Sequence, residues 1–258
     1  MLKTWLEVSK RPSGTFRFNV VNINEKNSRD LENINEIFSK IIINESVGYD
    51  TAKKLAKKYG WNKILESIIT PRLTRTSNMK KGKFGEMLES SVLETFFDYV
   101  IPIKKWRYAI SSDQSLPRCD IIAVKLEGQK IIEMSFIESK LTTTSDSNKI
   151  IEAHSQLMEE KKSGFSDILS FIILRLIDEK HPLQEAFIEY TLIKDKPNDS
   201  YRIAATYDNA KWNENYLTKL NDIHTKSTPE LTVDLIRIEE LEKVVKTVYE
   251  KKGWKPIE

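Results

Sequence analysis

One cysteine, three histidines, eight glycines and eight prolines in 258 residues leave several protein classes without their raw material. Cys119 alone forms no internal disulfide, and neither it nor three scattered histidines supply the paired spacing of a Cys/His zinc site. Any catalytic metal must therefore rest on carboxylate oxygens. Long apolar runs are also missing. The longest, Ile168 to Ile177, is ten residues interrupted by Ser170 and Arg175, against the roughly 20 that a bilayer helix needs. The N-terminal residues show no basic segment followed by an apolar core, so no secretory signal is read and a cytoplasmic location, away from membranes, is expected. Sparse Gly and Pro with 40% hydrophobic residues argue against a disordered chain and supply a sizeable core. There is no Gly-x-Ser-x-Gly, phosphate loop or Cys/His nucleophile pair to support a small-molecule hydrolase.

Net charge is also scarce, at +3, but it is unevenly placed. Residues 51–83 hold ten Lys or Arg against the single acid Glu66, a segment charge of +9 that leaves −6 for the rest. Lys53/Lys57 and Lys54/Lys58 are spaced i, i+4, which on a helix stacks them into one positive face. Such a face is explained by solvation, or by sequence-independent contact with the phosphates of a polyanion. Lys80, Lys81 and Lys83 continue it towards a group of acids and are the candidate nucleic-acid contacts.

Periodicity predicts an α/β chain. Thr4 to Val8 and Thr15 to Val21 read as a hairpin around Pro12-Ser13-Gly14, followed by helical patterns up to Pro71. A long helix from about Met79, with Phe84, Leu88, Val92 and Phe96 on one face, stops before Pro102. Ile103 to Ile110, Cys119 to Leu126 and Lys130 to Glu138 read as strands, the last two joined across Gly128. Helices at Asn148 to Lys162 and Phe165 to Ile177, strands at Phe187 to Ile193, Tyr201 to Thr206 and Leu231 to Ile238, and a closing helix at Glu239 to Lys252 complete the pattern. With no repeat or linker, one α/β domain over 1–258 is expected, with 1–78 as a helical N-terminal elaboration and about 79–258 as the core.

The informative chemistry is Pro117-Arg118-Cys119-Asp120, a strand, a turn, a second strand, and Glu138-Ser139-Lys140. An acid two residues before a lysine occurs five times in the chain, so the spacing alone carries nothing. Only Glu138/Lys140 ends an apolar strand, where solubility does not explain a charged pair. If the turn is centred on Gln129, facing residues sum to 258: Ile122 meets Phe136, Val124 meets Met134, and Asp120 meets Glu138. A sum of 257 would put the two acids on opposite faces. Facing carboxylates repel unless one is protonated or a cation lies between them, and oxygen ligands at that spacing suit Mg²⁺ or Mn²⁺. Lys140 shares the face of Glu138 and can offset charge developing on a phosphate. Glu86 or Glu89, spaced i, i+3 beside Gly82 and Gly85, offers a further acid, although carboxylates near a helix N-terminus also simply favour its dipole.

Asp120, the hairpin, Glu138-Ser139-Lys140 and the preceding Gly85-Glu86 helix together resemble the PD-(D/E)xK nuclease superfamily. The resemblance spans about residues 80–165, and the proline stands three residues before the aspartate rather than next to it. It implies a restriction-endonuclease-like core, a mixed sheet flanked by helices, and Mg²⁺- or Mn²⁺-dependent hydrolysis of DNA phosphodiesters. Asp120, Glu138 and Glu86 would hold the metal, Lys140 would align the attacking water, and His154 or Gln156 on the next helix would lie near the substrate. The whole layout is also similar to HamA, the nuclease-subunit family of Hachiman anti-phage defence, which implies a restraining helicase partner of the HamB type. The alternative is a subunit that keeps the fold and binds nucleic acid or protein without catalysis.

Overall fold

The computed structural model describes residues 2–26, 31–44, 49–60, 76–108, 119–192, 199–225 and 230–249. Its centre is a mixed six-stranded sheet in the order β1-β2-β6-β5-β4-β3. The strands are β1 (Leu6–Lys10), β2 (Asn19–Glu25), β3 (Ile121–Glu127), β4 (Lys130–Thr142), β5 (Asp199–Asp208) and β6 (Leu231–Ile238). The outer pairs β1/β2 and β3/β4 are antiparallel, whereas β2, β6, β5 and β4 run parallel. The expected α/β class with a mixed, helix-flanked sheet holds.

Helices cover both faces because the interior strands are apolar on both sides. On one face lie α1 (Leu2–Trp5), α2 (Leu31–Asn44), α4 (Ser77–Phe96) and α9 (Leu241–Tyr249), packed around Phe38, Phe84, Leu88, Ile236 and Val244. The other face carries α5 (Asn148–Lys162), α6 (Ser166–Asp178), α7 (Gln184–Leu192) and α8 (Asn215–Ile223) around Phe136, Leu157, Ile172 and Phe187. The basic helix α3 (Tyr49–Tyr59) buries Ala56 and exposes Lys53, Lys54, Lys57 and Lys58. Lys63, Arg72 and Arg75 of the same basic stretch, and the helical pattern from Trp61 to Ile69, lie outside the described residues.

Three expectations shift. Ile103 to Ile110 is not a strand as far as it is described: Val100 makes one bridge to Val124, and a 3-10 turn follows at Lys105–Tyr108. Pro102 lacks the N–H that would extend pairing along the outer edge of β3. Phe187 to Leu192 is helical; Phe187 and Tyr190 are buried one turn apart while Leu192 is 75% exposed, so the apolar run is a helix face rather than a strand. The N-terminal hairpin exists but starts after a helical turn, so its strands lie further along the chain than the alternation suggests.

The β3/β4 register decides where the acids fall. From Ile121↔Ile137 to Lys125↔Glu133 facing residues sum to 258, as predicted. At the turn they do not: Glu127 pairs with Lys130 and Leu126 with Ile131, because only Gly128 and Gln129 lie between the strands. Gly128 accepts the positive φ of 62° that this tight turn requires. Ile132 is the extra residue of a bulge that converts one register into the other.

Candidate active site

β4 outlasts its neighbour. It pairs with β3 only up to Ile137, but with β5 up to Thr142, so residues 138–142 have a ladder partner on one side only. Asp120 sits at this fork, one residue before β3. Its amide donates to the Ile137 carbonyl at 3.1 Å, and its Oδ2 accepts from the Ser139 amide at 2.9 Å. The carboxylate thus replaces the missing strand at the first unpaired N–H. Ladder pairing begins at Ile121, so Asp120 turns towards Ser139 rather than standing squarely opposite Glu138, yet the two acids remain close enough to repel.

Glu138 is 5% exposed and accepts a hydrogen bond from the Lys140 ammonium at 2.7 Å. Burial and the neighbouring Asp120 outweigh this ion pair and push its carboxyl up to about 7. Lys140 is pulled down by burial, but Glu138 more than offsets this and raises it.

Glu86 approaches from α4. The residue is partly exposed, but its carboxyl end is enclosed. That burial, followed by Asp120 and Glu138 and opposed by Lys105 and Lys83, raises it to about 8. The close seat of α4 on β4 depends on Gly85: a Cβ there would meet Ser139 Oγ at 3.1 Å and Leu141 Cβ at 3.3 Å. Gly82, the other glycine of the expected pair, has nothing within 4 Å and plays no such part.

Glu86 and Glu89 therefore have different neighbours. Glu89 is fully buried against Arg202 of β5 and Asp234 of β6. Arg202 donates from Nε and Nη2 to the two Asp234 oxygens at 2.7 and 2.6 Å. Glu89 finds no hydrogen-bond partner for either oxygen, and burial together with Asp234 raises it well above the ordinary range. Of the two helix acids, Glu86 belongs to the group around Asp120 and Glu138.

The basic candidates divide. Lys80 lies 5.9 Å from the centre of the Tyr249 ring; Lys81 donates to Thr143 at 2.8 Å and lies 3.8 Å from Glu242. Lys83 is only 8% exposed and acts on Glu86, which places it beside the acids rather than on an open phosphate-binding face. Lys105 went unnoticed in the sequence. It is buried, donates to the Cys119 carbonyl at 2.8 Å, and brings a further cation to Glu86 and Glu138. Nothing in its spacing marks it, because only folding brings residue 105 to residue 119. His154 is buried, with Nε2 3.2 Å from His224 Nδ1. Gln156 is exposed.

Asp120 and Glu138 are hard oxygen donors, and the enclosed carboxyls of Glu86 and Glu138 hold protons tightly because they are buried and lie beside further acids, despite the nearby lysines. Among the described residues no three His, Cys, Asp or Glu side chains converge into a cage for a metal ion. Mg²⁺ commonly uses only one or two carboxylates, with waters and substrate phosphates completing its shell, so the residues present fit such an ion through Asp120 and Glu138. Among the described residues no helix is long and apolar enough to cross a membrane.

A mixed sheet flanked by helices, with acids and a lysine at the fork between an antiparallel and a parallel strand pair, defines an α/β protein whose architecture is consistent with a nuclease-like core. The chain belongs to the HamA family, whose model matches residues 2–252. That membership makes it an anti-phage defence protein, working in a system with other subunits. No curated protein matches it.

Proposed function

We propose that the chain is a metal-dependent deoxyribonuclease, the effector subunit of an anti-phage defence complex held in check by a helicase-type partner. The observation that carries this reading is the convergence of Asp120, Glu138, Lys140 and Glu86 at the β3/β4 fork. A divalent cation held by Asp120 and Glu138, with Glu86 in support, would supply Lewis acidity towards a phosphate oxygen. Lys140 presents an ammonium beside the same carboxylates, where it can align the attacking water and offset the negative charge that builds on phosphorus. The exposed lysines of α3, with Lys80 and Lys81, would attract the backbone phosphates without reading sequence.

A second reading, a nucleic-acid-binding subunit without catalysis, draws support from the ion pair that ties Lys140 to Glu138. One experiment separates them. DNA cleavage by the purified chain is measured with Mg²⁺, Mn²⁺ or EDTA, for the parent, Glu138→Ala and Lys140→Ala. Cleavage that needs the metal and disappears in both variants supports the nuclease. DNA binding without cleavage in the parent, with and without the partner, supports the second reading.

A further inference from the structure

A cavity of about 260 Å³ opens on the α4 side of the sheet, lined by Lys10, Arg11, Lys125, Arg202, Asn19 and Thr232 among others, with no carboxylate in its lining. It is separate from the acid centre: none of Glu86, Asp120, Glu138 or Lys140 borders it. Four cations converge here from β1, the turn after it, β3 and β5, so the gathering is made by the fold and not by a run in the sequence. The wall also includes Phe97 and Tyr99, over whose rings the cations lie. The Arg202 guanidinium is 5.2 Å from the Phe97 ring centre and 5.9 Å from that of Tyr99, and the Lys125 ammonium is 4.6 Å from the latter.

Solvation alone explains surface lysines, but not Arg202, which is 7% exposed. Its Nε and Nη2 donate to Asp234, with Glu89 as a second carboxylate beside it, while among the described residues Nη1 has no acceptor. Arg11 is occupied by Asn22 and Glu214, and Lys125 by Glu133. Lys10 is exposed, and among the described residues its ammonium meets no hydrogen-bond or ion-pair partner. A buried guanidinium edge and the Lys10 ammonium thus border one small hollow, with the Thr232 hydroxyl and the Asn19 side chain, whose amide donates to Glu230 at 2.9 Å, as further polar groups.

We propose that this cavity is a second, non-catalytic site that binds a small phosphate-bearing anion, up to the size of a nucleoside monophosphate. Planar N–H groups and an ammonium are the donors that phosphate oxygens select. The volume falls just below the roughly 300 Å³ at which sites for drug-sized ligands begin, which suits a compact phosphate-bearing anion rather than a polymer.

The test uses the full chain in EDTA, with inorganic phosphate, a nucleoside monophosphate and the matching nucleoside as probes, by calorimetry and by the thermal midpoint. Phosphate and the monophosphate should each bind and raise the midpoint with concentration, and the nucleoside should not. Lys10→Glu, at an exposed position, should weaken both by roughly tenfold or more. Glu138→Gln should leave both affinities unchanged. Absence of binding up to about 10 mM, equal affinity in the parent and Lys10→Glu, or loss of binding in Glu138→Gln would each overturn the site. Because metal is absent and no cleavage is scored, the result stands apart from the nuclease reading.

Discussion

Replacing Glu138 by Gln should change how stability depends on pH, in a direction opposite to that of most carboxylates. Asp and Glu residues are usually held below their free values by folding, so acid destabilises. Glu138 is held above, at about 7 against 4.5 when free, chiefly because it is buried and secondly because Asp120 is near. The folded chain then binds this proton more tightly than the unfolded chain. Its contribution is complete below pH 4.5, declines as pH rises, and is lost above about 7. Each pH unit between the two values is worth about 1.4 kcal/mol, so the decline amounts to about 3 kcal/mol. Glu86, at about 8, acts in the same direction. Buried histidines oppose it: burial and His224 hold His154 down at about 4, which adds stability as pH climbs from there towards 6.5. The total curve mixes these effects, so the quantity to measure is the difference between Glu138→Gln and the parent. Urea unfolding in EDTA at pH 5, 6, 7 and 8 should show the variant gaining on the parent by about 2.5 kcal/mol across that range. Adding Mg²⁺ at pH 8 should restore the parent and not the variant. A difference that stays flat, or falls with pH, would refute the placement of an enclosed, electrostatically strained carboxyl at the fork.

Two glycines three residues apart should respond oppositely to alanine. Gly82→Ala, exposed on α4 with open space around it, should stabilise by up to about 1 kcal/mol, whereas Gly85→Ala should cost about 1–3 kcal/mol by forcing α4 off Ser139 and Leu141; chemical denaturation reads both. Deleting Ile132 should leave the fold and metal-dependent DNA cleavage close to the parent's, because it is the extra residue between the Leu126↔Ile131 and Lys125↔Glu133 pairs and its loss joins them into one register. Deleting Ser135, inside the regular ladder, should move Glu138 and Lys140 to the wrong face and abolish cleavage; equal outcomes for the two deletions would contradict the register.

Much of the centre was legible because its signals are local. Ile122, Val124, Met134 and Phe136 match only in one register, and Gly128 marks the turn, so the approach of Asp120 to the 138–140 end of β4 followed from pairing alone. The bulge was not legible: Ile132 is one more apolar residue in an apolar run, and its role appears only when the turn is counted against the ladder. Glu86 and Glu89 could not be told apart on one helix, since what separates them is Arg202 and Asp234 on strands more than 100 residues later. Lys105 and the cavity cations share that difficulty. The segment from Phe187 to Leu192 was misread as a strand because a short apolar run fits either period.

Helix α4 carries Glu86 to the fork and, three residues on, Glu89 to the Arg202–Asp234 pair. On an α-helix these positions are about 4.5 Å apart along the axis and about 60° apart around it. The helix therefore works as a rigid shaft bearing two cogs, each meshed with a different polar partner. Gly85, pressed on Ser139, is its bearing. Rotating or sliding the shaft to relieve one cog disengages the other, so the acids at the fork and the buried arginine pair hold each other in phase although they share no bond.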